Sequence, residues 1–154
     1  MWCRYALLIV ALTTGAEERT YFKSEVAGSE LPFSDAILSG DTLYISGKGG
    51  MIPGTRQVPE DPAEEVRLLM GDFKRTLARA DMTMDDLVAV TVYCPDLRLY
   101  DVFNEVYRSY FKDRFPTRAF VGSGPLLFGM RFEMQGIAVR RSPSSETRQQ
   151  PPTL

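Results

Sequence analysis

Histidine is absent from this chain of 154 residues, and cysteine occurs only twice. Without histidine the chain cannot form a histidine-ligated metal site, a Ser-His-Asp or Cys-His catalytic arrangement, or a histidine general base. The two cysteines, Cys3 and Cys94, cannot build a metal cluster by themselves, and we expect neither a metal nor a cofactor. Any proton transfer must therefore use a carboxylate, a lysine, a tyrosine, a cysteine or water.

An excess of charge of either sign is also missing. The chain has 18 Lys and Arg residues against 20 Asp and Glu residues, a formal net charge of −2, and its cations are scattered in runs of at most two. A protein that binds the nucleic-acid backbone needs a clustered positive surface. We therefore expect no nucleic-acid partner.

Apolar runs long enough to cross a bilayer are absent too. The apolar run near the N-terminus covers residues 5–12, whereas a spanning helix needs roughly 20 residues, so we expect no stable membrane insertion. Arg4 precedes this run, and small residues follow it up to Ala16, as in a signal peptide with its cleavage site. Residues 1–16 are therefore predicted to be a signal peptide of a secreted or periplasmic protein. The alternative is a buried N-terminal strand or helix in a cytoplasmic protein.

The remaining chain has the pattern of one α+β domain. Residues 20–26 and 42–47 have the β-branched and aromatic content of strands, and residues 36–39 can pair with the latter across a Gly-Asp turn. Residues 47–59 are rich in glycine and proline and are predicted to be a loop. Helical spacing of apolar residues predicts helices over 62–80 and 99–112.

Further strands are predicted at 87–94, 118–123 and 131–140. The first of these is apolar throughout, as in a central strand, so Cys94 is interpreted as a core residue in preference to a nucleophile. The order of elements predicts a two-layer sandwich, a mixed sheet with two helices on one face. The domain is placed at 17–141, and the polar, proline-rich residues 142–154 are predicted to be a disordered tail.

Residues suited to chemistry are concentrated between positions 115 and 141. Side chains alternate along a strand, and if the small and apolar positions lie under the helices, Arg118 and Glu133 share the uncovered face. That face also carries apolar residues, which predicts burial against another copy of the chain. The pair is either a cross-strand ion pair or a catalytic pair, in which the arginine holds a substrate carboxylate and the glutamate acts on a water.

A set of motifs along the chain resembles the RidA family, also called YjgF, of enamine and imine deaminases. The segments are PFSDAI at 32–37, LYISG at 43–47, TVYCPDL at 91–97, FNEVYRSYF at 103–111, FPTRAFV at 115–121 and FEMQGIAVRR at 132–141. The resemblance implies a chorismate-mutase-like fold and a homotrimer with ligand clefts between subunits. It also implies hydrolysis of reactive enamines and 2-imino acids to 2-oxo acids and ammonia.

The same resemblance assigns roles to individual positions. Arg118 matches the arginine that grips the substrate carboxylate, and Glu133 matches the acid associated with the water. Asn104 matches an asparagine of the second helix, and Ser46 with Gly47 matches a Ser-Gly pair at the cleft. The chain departs from the family pattern at three further cleft positions, which are Phe33 in place of tyrosine, Lys48 in place of glutamine and Phe120 in place of cysteine.

Three functions follow as hypotheses. The first is a deaminase of 2-imino acids, in which Arg118 and Glu133 are catalytic. The second is a non-catalytic trimer that binds small carboxylates through Arg118 and Lys48. The third is the ribonuclease or translation-inhibitor activity associated with the family, which the acidic balance and the absence of histidine disfavour.

Overall fold

The computed structural model describes residues 18–24 and 31–141. The predicted signal peptide and C-terminal tail, and the end of the first predicted strand, lie outside the described residues. No helix in the described ranges combines the length and the apolarity that a membrane crossing requires.

The described residues form a six-stranded sheet in the order β1-β2-β3-β6-β4-β5. Neighbouring strands are antiparallel except for β4 and β5, which are parallel. The predicted central strand is confirmed, because β4 lies between β6 and β5. The strands are β1 (Arg19–Phe22), β2 (Ala36–Ser39), β3 (Thr42–Gly49), β4 (Leu87–Cys94), β5 (Thr117–Gly122) and β6 (Glu133–Val139).

The predicted hairpin is formed by β2 and β3. Ser39 pairs with Thr42, and Gly40 takes a φ of 55°, which favours glycine in the tight turn between them. Strand β3 runs two residues beyond its predicted end, with a register shift between Ile45 and Lys48. The predicted loop therefore begins after Gly49, because pairing with β6 continues through the shift.

Two α-helices of the described chain cover one face of the sheet. Helix α1 spans Pro62–Arg79, and the Asp61 side chain caps it by accepting a hydrogen bond from the Ala63 backbone N–H. Helix α2 spans Tyr100–Arg108 and is shorter than predicted. Residues 109–111 continue it with backbone bonds to the third preceding residue, which tightens the turn before the chain enters β5.

The core lies between the helices and the sheet. Leu69, Phe73 and Leu77 of α1 are completely buried, as are Val92 of β4 and Met134 of β6. The predicted α+β fold with two helices on one face is thereby confirmed.

Cys94 belongs to the core, as predicted. The residue is fully buried, and its thiol donates to the backbone carbonyl of Asp96. Burial raises the pKa of the Cys94 thiol, which disfavours the thiolate that a nucleophile requires.

Candidate functional site

Arg118 lies on β5 and points toward α2. One of its terminal nitrogens donates to the side-chain oxygen of Asn104 at 2.7 Å and lies 3.5 Å from the hydroxyl of Tyr100. Its guanidinium carbon is 4.7 Å from the centre of the Tyr107 ring and 5.8 Å from the centre of the Phe120 ring. Aromatic faces attract a cation, so β5 and α2 together hold the guanidinium in an aromatic recess.

The partners of Arg118 are neutral. Among the described residues, no carboxylate lies within 4 Å of this guanidinium. Tyr107 beneath it is protonated, because burial raises the pKa of its hydroxyl to about 12 even though Arg118 acts in the opposite direction. Arg118 therefore keeps its charge and its remaining N–H donors available for an anion, and a carboxylate is the anion that a guanidinium binds with two parallel hydrogen bonds.

Glu133 is the first residue of β6 and lies on the uncovered face of the sheet. It stands opposite Gly49 of β3 and Tyr93 of β4. Its carboxylate packs against Gly47, where a Cβ atom would come within 2.1 Å of the nearer glutamate oxygen. Gly47 therefore leaves the space that the Glu133 carboxylate occupies.

The expectation that Arg118 and Glu133 share one face is wrong. Arg118 and Phe120 face the helices, since Phe120 packs edge-on against Phe103 and Tyr100 of the helical layer, whereas Glu133 faces away from them. The two strands are not neighbours either, because β4 lies between them. Apolarity misled the face assignment, since the aromatic side chain of Phe120 fills the space under α2 that the sequence pattern assigned to Ala119 and Val121.

The distance between the two residues follows from the strand register. Arg118 is opposite Val90, which is opposite Gly136, three positions along β6 from Glu133. Two strand spacings and three residue rises separate the Cα atoms by about 14 Å. A cross-strand ion pair within one chain is therefore excluded.

Lys48 also differs from its predicted setting. It is 8% exposed, and its ammonium group lies 2.8 Å from a carboxylate oxygen of Asp35 and 3.6 Å from one of Asp72. Two acidic neighbours already compensate its charge. This placement argues against the predicted contact between Lys48 and a substrate carboxylate.

Ser46, Phe33 and Asn104 complete the predicted set. The Ser46 hydroxyl and backbone N–H both donate to the carbonyl oxygen of Asp35, the residue before β2. Ser46 therefore fixes the backbone where β2 begins. Phe33 lies three residues before the start of β2, and its side chain is 54% exposed. The Asn104 side chain orients Arg118.

Tyr100 and Tyr107 belong to the recess but are not among the predicted site residues. Their helical spacing is equally typical of a core stripe. Arg118 is the signal in the sequence that could have distinguished these tyrosines from core residues, because a charged residue on a strand under α2 needs polar or aromatic partners from that helix.

Comparisons with known proteins agree with this architecture. A family model described as endoribonuclease L-PSP matches residues 24–140. The 2-iminobutanoate/2-iminopropanoate deaminase of Homo sapiens is 32% identical over 123 residues, which is 79% of this chain and 90% of that protein. The protein of the same name from Bos taurus is 36% identical over 110 residues, covering 71% of this chain and 80% of the relative.

Solved structures give the same result. The chain is similar to Escherichia coli TdcF with bound serine, with a TM-score of 0.72 and 27% identity, over 79% of this chain and 99% of the other. The YjgF gene product of E. coli aligns with a TM-score of 0.72 and 28% identity, over the same shares of the two chains.

Proposed function

This chain belongs to the endoribonuclease L-PSP family, also called the YjgF or RidA family, and from that premise we propose that it hydrolyses small 2-imino acids and their enamine tautomers to 2-oxo acids and ammonia. The observation that carries the proposal is the Arg118 guanidinium, which is held by the neutral Asn104 and by aromatic rings. Relatives named 2-iminobutanoate/2-iminopropanoate deaminase support the choice of substrate.

The reaction needs an anchor for the carboxylate and a group that acts on water. In the proposed mechanism Arg118 binds the substrate carboxylate through two hydrogen bonds, which fixes the position of the C=N carbon. Glu133 orients a water and accepts its proton as the oxygen adds to that carbon. Returning that proton to nitrogen gives a carbinolamine. Transfer of the carbinolamine hydroxyl proton to nitrogen then breaks the C–N bond, and the products are ammonia and a 2-oxo acid. Water is the only co-reactant.

The proposed mechanism needs a second copy of the chain. Within one chain Arg118 and Glu133 lie about 14 Å apart at their Cα atoms and on opposite faces of the sheet. A partner that places its own open sheet face against the β5 edge would bring its Glu133 toward Arg118. We propose that the chain forms homotrimers in which each cleft combines the arginine of one copy with the glutamate of the next.

The open face of the sheet supports such an assembly. Apolar side chains on it remain solvent-exposed in the single chain, among them Tyr44, Val121, Ile137 and Val139, at 37% to 51% exposure. A depression of about 260 Å³ lies on the same face, lined in part by Tyr44, Thr91 and Gln135. Covering this surface with another copy would remove apolar area from water, a gain of about 25 cal/mol per Å².

Phe33 and Phe120 modify the proposed cleft. Neither side chain has a hydroxyl or thiol, so neither can order a water by hydrogen bonding. The role of Phe120 would be to exclude solvent near Arg118, which binds the carboxylate, and Phe33 would shape another part of the cleft. Phe33→Tyr is then expected to raise turnover if a hydroxyl at this position helps to hold the water.

The proposal is tested with the purified protein and an amino-acid dehydratase that releases 2-iminobutanoate. Decay of the imine is followed with the wild type, Arg118→Ala, Glu133→Gln and the control Arg98→Ala, whose side chain is 90% exposed and paired with Asp96. Faster decay with the wild type and the control, but not with the other two variants, is the expected result. Equal decay rates for the wild type and Arg118→Ala would refute the catalytic role.

The binding hypothesis is distinguished from catalysis by measuring thermal unfolding with and without 2-oxobutanoate beside the imine decay. A trimer that only binds carboxylates would be stabilised by 2-oxobutanoate through Arg118 without accelerating imine decay. The contacts of Lys48 with Asp35 and Asp72 weaken the version of this hypothesis in which Lys48 also binds the ligand.

A further inference from the structure

A buried carboxylate binds the two residues that precede the proposed catalytic glutamate. Glu65, in the first turn of α1, is 0% exposed. One of its oxygens accepts from the backbone N–H of Arg131 at 2.7 Å and from that of Phe132 at 3.2 Å, and the other accepts from the Arg131 side chain at 2.6 Å. A buried charge persists only when paired and hydrogen-bonded. The carboxylate of Glu65 meets both conditions.

The ion pair between Glu65 and Arg131 also connects the loop before α1 with the start of β6. The Arg131 guanidinium donates to the carbonyl oxygen of Glu60 at 3.0 Å and to that of Pro59. Gly50 packs against the backbone of Glu65, since a Cβ atom there would come within 1.9 Å of the carbonyl oxygen of Glu65. Helix α1 and the loop before it therefore hold the two residues that precede Glu133, and the residue after β3 packs against the helix at Glu65.

We propose that Glu65 is a positioning residue for Glu133. It accepts hydrogen bonds from the backbone N–H groups of Arg131 and Phe132, the two residues before Glu133, while Gly47 on the neighbouring strand leaves the space that the Glu133 carboxylate occupies. The chain enters β6 at Glu133, so the direction in which this side chain leaves the sheet depends on that anchorage. This inference rests on the catalytic role of Glu133 given under the proposed function.

A carboxylate is needed at position 65 because every group facing it is a donor. Glutamine has the same shape but presents an NH₂ group in place of one oxygen. In Glu65→Gln that group would face either the backbone N–H groups of residues 131 and 132 or the Arg131 guanidinium. In either orientation Glu65→Gln loses the hydrogen bonds to one of these two sets of donors.

Asp86 provides a matched control for the loss of stability. It is also a buried carboxylate, 7% exposed, and it accepts from the Thr83 backbone N–H at 2.7 Å and from the Arg141 side chain at 2.9 Å. It lies at the other end of β4, where Leu87 pairs with Ala138 and not with the start of β6. Asp86→Asn therefore breaks a similar set of bonds away from Glu133.

The test compares the two variants in imine hydrolysis, thermal unfolding and amide hydrogen exchange. Glu65→Gln is expected to lower kcat by about 10- to 100-fold, as small misplacements of reacting groups do, with KM nearly unchanged because Arg118 is intact. Amide exchange at Arg131 and Phe132 should accelerate. Asp86→Asn is expected to lower the Tm comparably while kcat and the exchange at these two amides stay at the wild-type level.

Two results would overturn the inference. One is a kcat for Glu65→Gln that stays near the wild-type value although the two amides exchange faster. The other is an equal loss of kcat in both variants, which would mean that general destabilisation is the cause.

Crystal structures of the two variants decide the matter even if the wild type does not hydrolyse imines, which would refute the proposed function alone. A Glu133 carboxylate displaced from Gly47 in Glu65→Gln, but not in Asp86→Asn, supports positioning. An undisplaced carboxylate in Glu65→Gln refutes it.

Discussion

Arg118 and Lys48 are two cations on the helix-covered face of one sheet, and their neighbours differ in charge. Lys48 lies 2.8 Å from Asp35 and 3.6 Å from Asp72, and its charge is compensated within the fold. Arg118 is held by the Asn104 amide and by aromatic rings, which are neutral. A cation surrounded by neutral groups can still gain an anion, whereas a cation paired with carboxylates has already gained one. The comparison distinguishes a cation with neutral neighbours from a cation whose charge the fold already compensates.

The largest expected difference between replacing Arg118 and replacing Lys48 is in catalysis. Arg118→Met should lower kcat/KM for 2-iminobutanoate by about 100-fold or more, because two hydrogen bonds between charged groups are lost at about 1.5 kcal/mol or more each. Lys48→Met should change kcat/KM by less than about 3-fold, since its partners belong to the fold. Steady-state kinetics on both variants measure the difference, and similar losses would remove the distinction.

The effects on stability should have the opposite order. Lys48→Met leaves Asp35 partly buried with Arg79 as its remaining cation, and we expect a loss of about 2 kcal/mol in the free energy of unfolding, less than for a fully buried pair. Arg118→Met replaces contacts with neutral groups and should cost about 1 kcal/mol or less. Urea denaturation of the two proteins gives both values, and a larger cost for Arg118→Met would contradict the assignment.

Asn104→Asp gives Arg118 an acidic partner of the same shape as the asparagine, so that Arg118, like Lys48, has a carboxylate beside it. The new carboxylate would compete with the substrate for the guanidinium, and KM should rise by about 10-fold, equivalent to about 1.4 kcal/mol. Asn104→Ala is the control, because it removes the oxygen without adding charge, and its effect on KM should be smaller. A KM for Asn104→Asp at or below that of Asn104→Ala would refute the argument.

The smallest effect is expected at Tyr107, beneath the Arg118 guanidinium. Its hydroxyl is buried without a hydrogen-bond partner among the described residues, so Tyr107→Phe should change the unfolding free energy at pH 8 by less than about 0.5 kcal/mol. At high pH the two proteins should differ.

The sign follows from the direction of the shift. Burial raises the pKa of Tyr107 from 10.0 to about 12 in the folded state. Its contribution to stability is therefore complete below about pH 10 and is lost as the pH rises toward 12. At pH 11 the wild type should have lost about 1 kcal/mol relative to Tyr107→Phe, measured as the difference between their urea midpoints at the two pH values. No difference would contradict the raised pKa.

Local patterns predicted most elements of the fold. The period of apolar residues placed α1 within one residue of its observed end, and β4 was identified by its continuous apolar run. The predicted end of α2 was less accurate. Residues 109–111 keep helical spacing in the sequence, but their backbone N–H groups bond to the third preceding carbonyl, which makes turns and not α-helix. Such boundaries depend on where the next strand must begin.

The candidate site was predicted as a set of residues but not as an arrangement. Arg118, Glu133, Asn104 and Gly47 follow from the family resemblance, and the structure gives each a defined contact. The shared face of Arg118 and Glu133 was wrong because both faces of β5 carry apolar side chains. The pairing of Lys48 with Asp35 and Asp72 could not be read from the sequence either, since it requires α1 to lie over β3.

By itself the sequence determined the kinds of chemistry open to this protein, since a chain without histidine must use its carboxylates and cations, and it determined the helices and strands through local periodicity. The tertiary structure alone showed which cation has neutral neighbours and which face of the sheet each residue occupies. The physical reason is that alternation defines two faces of a strand without saying which face the helices cover. The charge state of a site likewise depends on neighbours that are distant in the chain.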